Sequence, residues 1–313
     1  MSATIRVGTC AWVEKGLIAD WYPSTATTAE ARLRFYAEHY DTVEVDSSYY
    51  AIPADHTVYN WGQRTPPGFV FHIKAFGLMT GHRVRPEQLP ADLRTLVDEV
   101  TPQGYVVPSE ALRDRVFARF RRALDPLRAE DKLGGVLFQL PHSAIPGRHA
   151  WEVIDHARTA LPDDELLIEF RQHDWLAPDL QEETFSSLRE RNLTYVVVDA
   201  PKVHTTNVAQ TVIASTTDTA YVRFHGRNAA TWNSRGEGAS SRFDHLYSDA
   251  ELSEWIEPLR ELSRATTKAY AMFNTNADTQ GPDNADRLRQ LLHDAHVPVS
   301  TAPGPAQGEL FHF

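Results

Sequence analysis

The run Thr42-Val43-Glu44-Val45-Asp46-Ser47-Ser48-Tyr49-Tyr50 decides how the rest of the chain is read. It opens as a strand in which β-branched residues alternate with acids. Successive side chains of a strand point to opposite faces, so Glu44, Asp46 and Ser48 share one face and Val43 and Val45 the other. Valines suit a layer of helices. Acids facing inward are costly unless paired or wetted. Either a site or an internal ion-pair network accounts for them.

Working outward, similar short apolar runs recur along the chain. Ile5–Thr9 precedes the acidic strand, and Phe69–Lys74, Gly135–Leu140, Leu166–Arg171, Thr194–Asp199, Ala220–Gly226 and Lys268–Asn274 follow it. Helical patterns separate most of them. Thr27-x-x-Glu30 and Ser248-x-x-Glu251 read as capping boxes. Leu112, Val116, Phe120, Leu124 and Leu127 form one apolar stripe of a helix expected over Ser109–Arg128. Eight strands alternating with helices predict a parallel sheet closed into a (β/α)8 TIM-type barrel. No Gly-rich phosphate loop follows an early strand, which weighs against an open doubly wound sheet. The reading is α/β, a single domain over residues 1–297, with a helical insertion after strand 3.

Composition narrows the function. The 313 residues are 42% hydrophobic, carry a net charge of −11 and include one cysteine, Cys10. A bulk nucleic-acid coat is excluded by that charge. An internal disulfide is impossible, which fits a reducing, cytoplasmic setting. No apolar run approaches the ~18 residues of a membrane span, so no membrane partner is expected.

In such barrels the site lies at the C-terminal ends of the strands. Reading those ends gives Thr9, Glu44 with Asp46, His72 with Lys74, Gln139, Glu169 with Arg171, Asp199, Arg223 with His225, and Asn274 with Asn276. Glu44, Glu169 and His225 are the candidate acid/base residues. Asp46, His72, Lys74, Gln139, Arg171, Asp199, Arg223 and Asn274 are expected to bind substrate. Lys74, Arg171 and Arg223 suit phosphate or carboxylate, arginine through two oxygens at once. His72, His225, Glu44, Asp46, Glu169 and Asp199 could supply ligands to a divalent metal. No HExxH, CxxC or DxDxDG spacing occurs and three cations would repel a metal, so no metal or other cofactor is assigned.

Several of these stretches resemble the YecE-like family, domain-of-unknown-function family 72. They are Val7–Trp12, Trp21–Pro23, Thr42–Tyr50, Thr65–Lys74, Leu137–Pro141, Glu169–Arg171, Tyr221–Arg227 and Phe273-Asn274. The resemblance runs to about Ala295. It implies a TIM-barrel-like fold and carries no established activity. Asp46-Ser47 stands where the family also uses Asn-Ser or Asn-Thr, which implies a positioning role for Asp46. A looser likeness to endonuclease IV and xylose isomerase barrels is one of fold alone. Lys74, Arg171, Arg223 and Asn274 replace most of the metal ligands of the nuclease pattern.

After the barrel comes a Pro/Gly-rich stretch, and residues 298–313 are read as a flexible tail. Its end resembles sliding-clamp-binding peptides through Gln307, Leu310, Phe311 and Phe313. A clamp is therefore one expected partner, with DNA another. Arg115, Arg119 and Arg122 share a helix face that could contact a phosphate backbone or simply pair with nearby acids. Trp232-Asn233 and Arg235–Gly238 read as a lid. The chain is thus expected to be a hydrolase-like enzyme for a phosphorylated or nucleic-acid-derived substrate, with a link to DNA repair. The alternative is a non-catalytic adaptor that binds an anion.

Overall fold

The computed structural model describes residues 2–201, 211–229, 243–301 and 304. Eight parallel strands close into a barrel in chain order. They are β1 Ile5–Thr9, β2 Thr42–Val45, β3 Val70–Lys74, β4 Leu133–Gln139, β5 Leu166–Glu169, β6 Thr194–Asp199, β7 Thr219–Phe224 and β8 Lys268–Phe273.

The two-residue alternation divides the core in two. Outward side chains such as Val43, Val45, Phe71, Phe138, Val197 and Phe224 pack with Leu33, Leu112, Leu188 and Leu288 of the surrounding helices. Inward ones, among them Leu137, Leu167, Val196, Tyr221, Tyr270 and Met272, form a separate cluster inside the barrel.

The acidic stretch departs from a plain strand. β2 ends at Val45, and Asp46–Tyr49 wind into a 3-10 turn. Ser48 therefore leaves the face of Glu44, and its hydroxyl caps the turn by donating to the Val45 carbonyl at 2.7 Å.

Helix boundaries move for local reasons. The first long helix, Ala29–His39, is capped by Thr28 rather than Thr27; its hydroxyl accepts the Ala31 N–H at 3.1 Å. Ser248 caps as expected, but its helix stops at Ser253 and a second one runs from Ile256 to Ala265. Between β3 and β4 the expected helix over Ser109–Arg128 is two, Glu110–Ala123 and Asp125–Ala129. Pro126 has no N–H for a continuous ladder. The apolar stripe survives the break, with Leu112, Val116, Phe120, Leu124 and Leu127 all buried. Arg119 and Arg122 on this segment pair with Asp55 at 2.5 and 3.5 Å, so two of the three arginines on that face follow the reading in which they pair with nearby acids.

One seam differs from the rest. β1 and β2 share a single aligned pair, Thr9 with Val43, whereas β7 and β8 share six. Tyr36 stands in for the missing ladder. Its hydroxyl accepts the Thr9 N–H at 3.0 Å and donates to the Thr42 carbonyl at 3.1 Å. Gly8 permits the approach, since a Cβ there would lie 2.5 Å from the Thr42 oxygen. The stretch beginning at Pro298 remains on the barrel at first. Ile5 donates to the Pro298 carbonyl at 2.9 Å, and Ser300 donates to Ile5 at 2.9 Å. Residues 307–313, with the clamp-like peptide, lie outside the described residues, as does the expected lid at 232–238.

Candidate functional site

The strand ends carry two stacked features: a buried ionic layer, and an open cleft above it. Arg223 of β7 centres the layer. Its guanidinium donates to Glu44 of β2 and Glu169 of β5, both at 2.5 Å, and all three side chains are fully buried. Tyr221 donates its hydroxyl to the other Glu44 oxygen at 2.8 Å. His225 lies 3.0 Å from Glu169 through Nε2. Asn274 meets His225 Nδ1 at 2.9 Å, and Gln139 donates its amide to Glu169 at 2.6 Å. Removing ions from water is costly, and this layer offsets the cost with charge-assisted hydrogen bonds on nearly every polar atom. The Arg223 Nε is the exception, buried without a partner.

The electrostatics separate the carboxylates. Burial alone would raise Glu169, but Arg223 and His225 hold it well below the usual carboxylate range. Burial raises Glu44 to about 7 against the pull of Arg223, and the neighbouring charge of Asp46 adds to the rise. Asp46 moves the other way. Burial opposes its ionisation, but Lys74 and Arg223 outweigh it and lower the carboxyl. Glu44 and Asp46 are thus two coupled carboxyls with their affinities for a proton pushed apart, an arrangement found where acid–base chemistry is done. Burial drives His225 down to about 4, so the ring is neutral.

Above this layer opens a cleft of about 1020 Å³. Its walls come from the segments after β1, β2, β3, β4, β5 and β8, with Phe243 and Asp244 from the β7–β8 connection. Asp46, Lys74, Gln139, Arg171 and Asn274 line it, as the sequence leads one to expect. Asp46 is the one member of the acid–base pair that reaches it, with 26% of its side chain exposed and Lys74 at 3.4 Å. Arg171 lies 3.7 Å from Glu169, at the edge of the ionic layer.

Besides Glu44, five expected site residues are placed elsewhere. Glu169, His225 and Arg223 sit in the ionic layer beneath the cleft, fully covered. His72 lies deeper, its ring edge-on to Tyr221 and Tyr270 at 4.8 and 4.3 Å, with neither ring nitrogen hydrogen-bonded. Asp199 points outward from the barrel: it accepts from Tyr247 at 2.7 Å and from Arg227 Nε at 2.9 Å. Sequence reading missed Glu14, His82 and His142, which also line the cleft. They sit in loops, where no periodicity marks direction. Among the described residues no group of three or more His, Cys, Asp or Glu side chains is poised around a metal position. No helix among them is long and apolar enough to cross a membrane.

A closed eight-stranded barrel with a polar, mixed-charge cleft at its C-terminal face defines the class: a TIM-barrel-like protein built around a small-molecule-sized site. Within that class the chain belongs to the family described as "Protein of unknown function DUF72", whose profile matches residues 6–308. It is 27% identical over 291 residues to the UPF0759 protein YunF of Bacillus subtilis, covering 92% of this chain and 94% of the relative. A DUF72 family crystal structure from Thermotoga maritima is similar with a TM-score of 0.73 and 29% identity, over 93% of this chain and 99% of that one. One from Enterococcus faecalis reaches a TM-score of 0.76 at 23% identity, over 92% and 95%.

Proposed function

We propose that this protein is an enzyme acting on a small phosphorylated substrate, nucleic-acid-derived phosphoesters included, and that the reaction is hydrolytic. The observation that carries the reading is the position of Asp46. It opens to the cleft beside Lys74, while its partner Glu44 is raised to about 7 beneath it. Lys74 and Arg171 hold phosphoryl oxygens. As the water oxygen bonds to phosphorus and the ester P–O bond breaks, the carboxyl pair takes the water's proton and passes it to the leaving oxygen, and the form with both carboxyls ionised grows in as pH rises through about 7. Glu169, Arg223 and His225 act from below as the support that keeps Glu44 in place.

The test is turnover of a panel of phosphoesters, sugar phosphates and abasic DNA, with and without divalent metal. The expected result is hydrolysis with a pH–rate limb near 7, lost in Glu44→Gln with a fall of roughly a hundredfold or more. Ligand-induced thermal stabilisation with no turnover of any substrate overturns the enzyme in favour of a binding protein. That second reading is favoured by one observation: Glu169 and His225 are covered completely and their polar groups are engaged with one another.

A further inference from the structure

The buried layer dictates which atoms the cleft presents. Glu169 is ionised, and an ionised carboxylate only accepts hydrogen bonds. The Gln139 group at 2.6 Å from it is therefore the amide nitrogen, and its Oε1 is left without a hydrogen bond among the described residues. His225 Nε2 faces the same carboxylate at 3.0 Å and must carry the ring's proton, so Nδ1 accepts. Asn274 then donates its amide nitrogen to Nδ1 at 2.9 Å, and its Oδ1 likewise has no hydrogen bond. His82 follows the same logic. Thr80 has one hydroxyl proton and donates it to the Gly77 carbonyl at 3.0 Å. A proton on His82 Nδ1 is the arrangement that satisfies both contacts of Thr80 Oγ1, so we assign the 2.7 Å contact as a donation from the ring. Burial, helped by Lys74 and Arg171, lowers His82 to about 4, so Nε2 holds a lone pair. The Asn276 Oδ1, also on the cleft wall, is buried with no partner.

The cleft thus offers three amide oxygens and an imidazole nitrogen, all acceptors, beside the cations Lys74 and Arg171. A bare phosphate or carboxylate brings only acceptors and would leave those four unanswered. We infer that the ligand is a polyhydroxylated anion, a sugar phosphate or a sugar acid. Its hydroxyls donate to Gln139, Asn274, Asn276 and His82, and its charged group sits at Lys74 and Arg171. This rests on the anion-binding part of the function proposed above and adds the rest of the ligand.

Calorimetric titration of the full chain with D-ribose 5-phosphate, D-gluconate, ethyl phosphate and ribitol tests it. At least one of the first two should bind roughly fivefold or more tightly than both ethyl phosphate and ribitol, and which one does so identifies the charged group. Gln139→Met and His82→Phe, each first checked for an unchanged unfolding midpoint, should weaken the hydroxylated anion by a larger factor than ethyl phosphate and so shrink that advantage. His82→Phe does not touch the ionic layer, so it decides the matter if Gln139→Met is unstable. Ethyl phosphate binding as tightly as both hydroxylated anions, or weakened equally by His82→Phe, overturns the inference and leaves the anion site standing. Ribitol binding as tightly as the hydroxylated anions overturns the anion site itself. Binding of none of the four overturns both.

Discussion

Two layers of side chains fill this barrel, and both bury polar groups. In the upper layer Arg223 joins Glu44 and Glu169 at 2.5 Å, and Tyr221, His225 and Gln139 complete the carboxylates. In the lower layer His72 lies against Tyr221 and Tyr270, with neither nitrogen hydrogen-bonded. Gly134 makes room for it, because a Cβ there would come within 2.5 Å of the ring. The upper layer is ionic and borders the cleft. The lower one treats a histidine as a neutral aromatic. Burial of a titratable residue inside a barrel is therefore no mark of a site on its own. What distinguishes the upper layer is that its members are charged, answered by one another, and adjacent to open space.

The largest break in this contrast should come from Arg223→Met. It leaves two carboxylates buried without their counter-ion and should cost about 3–5 kcal/mol of unfolding free energy. Adding Glu44→Gln and Glu169→Gln should recover most of the loss in denaturant titrations. Failure to recover would mean that the ion pairs are not the reason for the cost. Tyr221→Phe alters a side chain shared by both layers, whose ring meets His72 and whose hydroxyl serves Glu44. A loss of about 1–2 kcal/mol is expected, and no loss would separate the layers energetically.

His72→Phe should be the mildest at pH 7, within about 1 kcal/mol of the parent. Its effect appears on acidification. The unfolded chain binds a proton on His72 below the ordinary value of 6.5, whereas burial holds the folded residue neutral down to about 3. Stability from this group is present above pH 6.5 and lost as pH falls through that window. The variant should therefore lose less stability than the parent between pH 6.5 and 4; equal losses would show that His72 is not responsible.

The same contrast explains what the sequence could and could not say. Glu44, Lys74 and Arg223 were legible because each sits in an alternating strand, where parity tells direction. His72 shares the parity of Lys74, and parity does not report depth, so a packing residue and a cleft residue looked alike. β6 reads Tyr195-Val196-Val197-Val198, apolar on both faces. No alternation was left to show that Asp199 points away from the interior. The turn after Val45 depends on the Ser48 hydroxyl, whose single proton lies between the Val45 and Lys74 carbonyls at 2.7 and 2.6 Å, and the second carbonyl comes from another strand. Glu14, His82 and His142 reach the cleft through loops whose course the barrel sets.

The phenol of Tyr36 at the β1–β2 seam has a bearing on motion. Breathing of a closed barrel starts where the fewest backbone bonds must break together. Here that is the junction with one aligned pair and a bridging phenol from the outer helical layer, next to the loop that carries Glu14 and the turn that begins at Asp46. Amide protons at Thr9 and its neighbours would then exchange with solvent through a local opening rather than through global unfolding. The acidic side of the cleft could widen to admit a ligand while the strands carrying Lys74 and Arg223 stay shut.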